Sequence, residues 1–135
     1  MQNWREETSE DLHEARRKIE GVIPGVSGPL TEAQADEVWL AYVLVEKSVF
    51  FIKVELDDEN PGRFIKARSY SVPDERQALQ FALRRLESGA EEFRLGDLVQ
   101  SLKMLREARN YLRVLLKTAW KHARSGRPDD YSFSG

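Results

Sequence analysis

The side chains able to do chemistry are few. The chain of 135 residues has two histidines, His13 and His122, and no cysteine. Thiol nucleophiles, thiolate metal sites and disulfides are therefore excluded. Glu10 and His13 form a Glu-x-x-His pair, which stacks both side chains on one helix face and recurs in di-metal helical bundles. Such a site needs a second pair and two further carboxylates, yet Ala119 stands where the glutamate before His122 would have to be. No metal and no cofactor is expected. Neither histidine follows an arginine at four to six residues, the spacing of one class of helical ribonucleases. Gly21, Gly25 and Gly28 lack the Lys-Ser/Thr that completes a phosphate loop. This inventory leans away from an enzyme.

Glu46 is a carboxylate inside the longest apolar run, residues 38–56. Burial without a partner would push its pKa upward, the signature of a reactive acid. Lys53, seven residues on, lies on the same side about two turns away. The plainer reading has Glu46 at the rim of the core, bonded to Tyr42 or to a neighbouring helix.

The sharpest feature is a basic stripe. Residues 103–127 carry eight basic side chains against one acid, a net of +7 in a chain whose formal charge is −2. On a helix, Lys103, Arg106, Arg109, Arg113, Lys117, Lys121 and Arg124 fall within about a third of the circumference. Leu105, Ala108, Leu112, Leu115, Leu116, Ala119 and Ala123 face elsewhere. Spaced cations of this kind can track phosphates, as in nucleic acid, or engage an acidic protein partner. They can equally be a solvated face, or dock on the acids of the first helix.

The elements that must carry these residues are helical. Asn3 with Glu6 opens helix one, whose stripe is Trp4, Thr8, Leu12, Ala15, Ile19 and Val22. Pro and Gly at 24–29 break the chain. Thr31 with Gln34 is a second capping box, and Leu30 is placed to staple onto Ala35. The helix that follows runs from Glu32 to about Leu56 and is apolar in nearly every direction, which predicts a central helix or one face of an oligomer contact. Asp74 opens helix three, with a stripe of Ala78, Leu79, Ala82, Leu83 and Leu86, and Ser88-Gly89 reads as its end. Asp97 caps helix four, with Gln100 in the third position, and Gly126 and Pro128 stop it near Arg124.

The expected fold is all-α: an antiparallel bundle of about four helices, forming a single domain over 1–127 with a mobile tail at 128–135. A rival α+β reading places a hairpin near 51–72, because Val49 to Val54 are strand-favouring types and Asn60-Pro61-Gly62 is a turn. Four charges in residues 38–56 argue against a membrane span. The charged first twenty residues lack the apolar core of a secretory signal. With no cysteine, these features suit the cytoplasm.

The function this reading favours is a structural or protein-interaction module that self-associates as a homodimer. Trp39, Tyr42, Val43, Phe50 and Phe51 of helix two are the expected contact. Alternatively, residues 57–72, with Phe64, Ile65 and Tyr70, fold over that surface within one chain. The second function is a nucleic-acid-binding module that uses the basic stripe.

Overall fold

A computed structural model describes residues 3–56 and 74–125, with side chains described as far as residue 123. Four helices account for nearly all of them: α1 (Trp4–Val22), α2 (Glu32–Leu56), α3 (Glu75–Leu95) and α4 (Leu98–Ser125), with a 3-10 turn, Ile23–Gly25, after α1. No strand occurs among the described residues. The rival hairpin loses its first strand, because residues 51–56 complete the last turns of α2. Its returning half lies outside the described residues, as do Phe64, Ile65, Tyr70 and the tail 128–135.

The ends of the helices follow from local chemistry. The Asn3 side chain accepts from the Arg5 amide at 2.9 Å. Thr31 and Gln34 form a reciprocal box: the Thr31 amide donates to Gln34 Oε1 at 2.9 Å, and the Gln34 amide donates to Thr31 Oγ1 at 3.1 Å. Asp74 and Asp97 accept from the Gln77 and Gln100 amides at 2.8 and 3.1 Å. Each cap satisfies an amide that the first turn leaves without an intrahelical partner. Carbonyls of the 3-10 turn that follows α1 are met by side chains of α2 and α3. Gln34 Nε2 donates to the Gly25 carbonyl at 2.9 Å and Arg76 Nη2 to the Pro24 carbonyl at 3.1 Å.

Side-chain pairs fix the topology. Lys47 reaches Glu7 while Lys18 reaches Glu37, so α1 and α2 are antiparallel. Arg16–Glu87 and Trp4–Phe93 set α3 antiparallel to α1. Glu46–Arg109 and Trp39–Trp120 do the same for α2 and α4. Arg85–Glu107 and Phe81–Tyr111 do so for α3 and α4. Around the bundle the order is therefore α1, α2, α4, α3, each antiparallel to both neighbours. α2 and α3 stand at opposite corners and run the same way.

The core takes the stripes that periodicity assigns. Leu12, Ala15 and Ile19 of α1 meet Val38, Val45 and Ile52 of α2, with Leu79, Ala82 and Leu86 of α3 and Leu105, Leu112 and Leu116 of α4. Ala123, read as core-facing, is exposed near the end of α4.

Two expectations need correction. α3 does not stop at Ser88-Gly89; it continues to Leu95, where Gly96 adopts φ 88° and closes it. That left-handed backbone is where glycine carries little steric cost. Gly89 is instead a close-approach site. A Cβ there would lie 2.6 Å from Leu105 Cδ2 and 2.8 Å from Cγ, and Ser101 Oγ donates to the Gly89 carbonyl at 2.8 Å. Nor is α2 central. A square of four helices has no central position, and α2 occupies a corner, with α1 and α4 as its neighbours.

Candidate interaction surface on α2 and α4

The corner position of α2 divides its apolar circumference in two. Ala35, Val38, Ala41, Val45, Val49 and Ile52 point into the core and are buried. The opposite face carries Trp39, Val43, Phe50 and Val54, with Leu40 at its edge. Their spacing of four, seven and four residues keeps them within one sector of the helix, since each residue advances about 100°. Phe50 is 60% exposed and Trp39 is 43% exposed, values unlike those of a core helix.

The surface continues onto α4 through Trp120, which is 50% exposed. Its ring centroid lies 5.9 Å from that of Trp39. Trp39 also stacks on Tyr42, at 5.6 Å with an interplanar angle of 24°. Three rings thus form a continuous apolar ledge across the α2–α4 seam. Phe50 packs edge-on against Phe51 at 5.8 Å, which leaves Phe51 half-buried.

Beneath the ledge lies a polar cluster. Arg109 Nη1 donates to Glu46 Oε1 at 3.1 Å, the Tyr42 hydroxyl donates to Glu46 Oε2 at 3.4 Å, and Arg113 Nη2 donates to the Tyr42 oxygen at 3.4 Å. Glu46 is therefore bonded both to Tyr42 and to the neighbouring helix, the plainer of its two readings. The other edge of α2 is fastened by Lys47, whose ammonium sits 2.7 Å from Glu7 and 3.2 Å from Asp11. Hydrogen bonds to these two carboxylates raise the Lys47 pKa above its ordinary value.

The seven basic residues divide accordingly. Arg109 and Arg113 turn onto α2 and serve the fold. Lys103 and Arg106 are half-buried, and Arg106 is engaged by other groups. Lys117 and Lys121 are exposed, Lys121 with an interaction of its own. The Arg124 side chain lies outside the described residues. Arg109 and Arg113 thus dock on α2 rather than on the first helix, while Lys117 and Lys121 stand exposed.

Of the expected self-association residues, Trp39, Val43 and Phe50 share the outer face, while Tyr42 turns to the seam and Phe51 to its edge. Leu40, Val54 and Trp120 belong to the surface and were not foreseen. The signal for Trp120 was legible: it sits seven residues after Arg113, an aromatic side chain within the basic sector.

His13 and Glu10 are both exposed, and no group of three or more metal-ligating side chains occurs among the described residues. No described helix is long and apolar enough to cross a membrane. No known protein family, curated protein or solved structure matches the chain.

Proposed function

We propose that this protein is a helical interaction module that associates with a second copy of itself through the outer face of α2. One observation carries the reading: Trp39, Val43, Phe50 and Val54 lie exposed along one sector of α2, with exposed Trp120 of α4 beside Trp39, while the described helices bury their other faces in the core. Isolated exposed apolar side chains are ordinary, whereas contiguous ones mark an interface. Aromatic side chains bury about 150–250 Å² each when covered, so this patch offers several hundred Å². That is short of the roughly 800 Å² each partner gives to a stable interface. A reversible dimer with micromolar affinity is the consistent outcome. A two-fold dimer is the simplest closed arrangement, since the same patch then covers itself.

Light scattering across a concentration series tests this. The mass should rise from 15.6 kDa toward twice that value as concentration increases through the micromolar range. A mass fixed at one chain over a hundredfold range refutes the reading. The nucleic-acid alternative has less support, because Arg109 and Arg113 are committed to Glu46 and Tyr42.

A further inference from the structure

α4 stands at a corner of the bundle with α2 and α3 on two of its sides, yet none of residues 101–113 is exposed. More than three turns of a corner helix are covered in every direction. The core, α2 and α3 account for Leu112, Arg109 and Tyr111 respectively. Lys103, Arg106 and Asn110 point away from all three, by the advance of about 100° per residue. Lys103 and Arg106 are nevertheless half-buried. Asn110 keeps only 8% of its surface, and its Oδ1 accepts no hydrogen bond. The outer faces of the other helices are open to water: Glu10, His13 and Arg17 on α1, Trp39 and Phe50 on α2, Gln80 and Arg84 on α3. His13 stays exposed among long charged neighbours, so flanking side chains alone do not bury the middle of such a face.

The path of the chain supplies an occupant. α2 ends at Leu56 and Asp74 caps α3. These helices run the same way at opposite corners, so residues 57–73 must return along the length of α3, about 32 Å at 1.5 Å per residue. Extended, they reach about 56 Å, enough to cross one outer face on the way. Glu46 sits beside Arg109, so Leu56, ten residues on, leaves α2 level with Val99, ten residues back on the antiparallel α4. The sequence there reads Asp57-Asp58-Glu59. The first cations it meets are Lys103 and Arg106. The C-terminal residues 126–135 approach from the wrong end: they would pass Lys121, Lys117 and Val114 before reaching Asn110, and all three are exposed.

We propose that the outer face of α4 over residues 103–113 is the docking surface for the chain's own connection, residues 57–73, whose acidic run Asp57-Asp58-Glu59 pairs with the start of the basic stripe. The proposal stands apart from self-association. Charge pairs at a partly covered site set register more than they add energy. Asn110 Oδ1 offers an acceptor to a backbone N–H that passes over it, as a buried polar atom requires. The acidic partner sought by the stripe is then part of the same chain. Arg109 and Arg113 are taken up by Glu46 and Tyr42, so an external polyanion meets only the end of the stripe, from Lys117 onward. A connection laid on α4 also leaves the outer face of α2 to other contacts.

Thiol accessibility tests the docking, because the chain has no cysteine of its own. Asn110→Cys should react with a maleimide about tenfold more slowly than Lys117→Cys, an exposed position on the same face. Replacing residues 57–73 by an equally long Gly-Ser segment should bring the two rates together. Asp57→Lys, Asp58→Lys and Glu59→Lys, made together in an otherwise native chain, should speed the reaction of Asn110→Cys about threefold, since they set like charges against Lys103 and Arg106. This triple variant also serves where the Gly-Ser chain does not fold, and Lys103→Cys serves as reporter where Asn110→Cys does not; circular dichroism checks helicity in each. Equal rates at the two positions in the native chain, or protection that survives the Gly-Ser replacement, overturns the docking. A rate unmoved by the three lysines overturns the pairing of the acidic run with the stripe.

Discussion

α2 and α3 hold equivalent places in the bundle. Each stands at a corner between α1 and α4, runs in the same direction and buries one face. Each opens with a side-chain cap, Thr31 for α2 and Asp74 for α3. Their outer faces are opposites. α3 presents Arg76, Gln80, Arg84, Glu87 and Glu91 to solvent. α2 presents Trp39, Val43, Phe50 and Val54 at equivalent exposure. Among the described residues, the core is assembled without either outer face. The apolar character of the α2 face is what the self-association proposal sets out to explain.

The largest effect should come from setting the two faces of α2 against each other. Ile52 is fully buried and Phe50, two residues earlier, is 60% exposed. Ile52→Ala should destabilise the chain by about 2–5 kcal/mol through lost burial and a residual cavity. Phe50→Ala should move monomer stability by no more than about 0.5 kcal/mol. Urea denaturation at a concentration where the chain is monomeric separates the two. Equal losses would mean that the outer face of α2 is part of the core.

On the α3 side, the sensitive point is Gly89. An added Cβ would press on Leu105, which is itself fully buried and has little room to yield. Gly89→Ala should therefore cost about 1–3 kcal/mol, although alanine is the better helix former by about 1 kcal/mol. A melting temperature equal to or above wild type would show that the α3–α4 seam can open.

The caps sharpen the equivalence of the corners. Thr31→Ala and Asp74→Ala each remove one acceptor from a first-turn amide and should each cost about 1 kcal/mol. Similar losses in thermal melts would place the difference between α2 and α3 in their outer faces alone.

The smallest effect concerns pH. Lys47 is held protonated by Glu7 and Asp11, so its folded pKa lies above the ordinary 10.5. Its contribution is complete at neutral pH and is lost only as pH rises through that raised value. Lys47→Met should then lower stability slightly at pH 7 and by less once pH has risen through that raised value. A deficit that grew with pH would contradict the pairing.

Much of this architecture could be read from the residues. The Thr31–Gln34 box and the unbroken run to Leu56 delimit α2, because capping and propensity are local. The periodic stripes of α1, α3 and α4 name most of the core for the same reason. Gly89 misled because a glycine inside a helix and one closing it look alike in sequence; only Leu105 and Ser101, more than ten residues on, distinguish them. The corner position of α2 was equally hidden. All-round apolarity states that water is excluded from every side, but not whether the same chain or another excludes it. Glu46 was legible as a carboxylate needing a partner, and Arg109, 63 residues away, emerged only once α4 was placed beside α2.

The central claim is that the outer face of α2 is an interface between copies. Light scattering of wild type and Phe50→Glu, side by side at matched concentrations, tests it most directly. Wild type should gain mass with concentration, while Phe50→Glu should remain at 15.6 kDa with an unchanged helical circular dichroism spectrum. Equal concentration dependence in the two proteins, or a single-chain mass for both throughout, would contradict it.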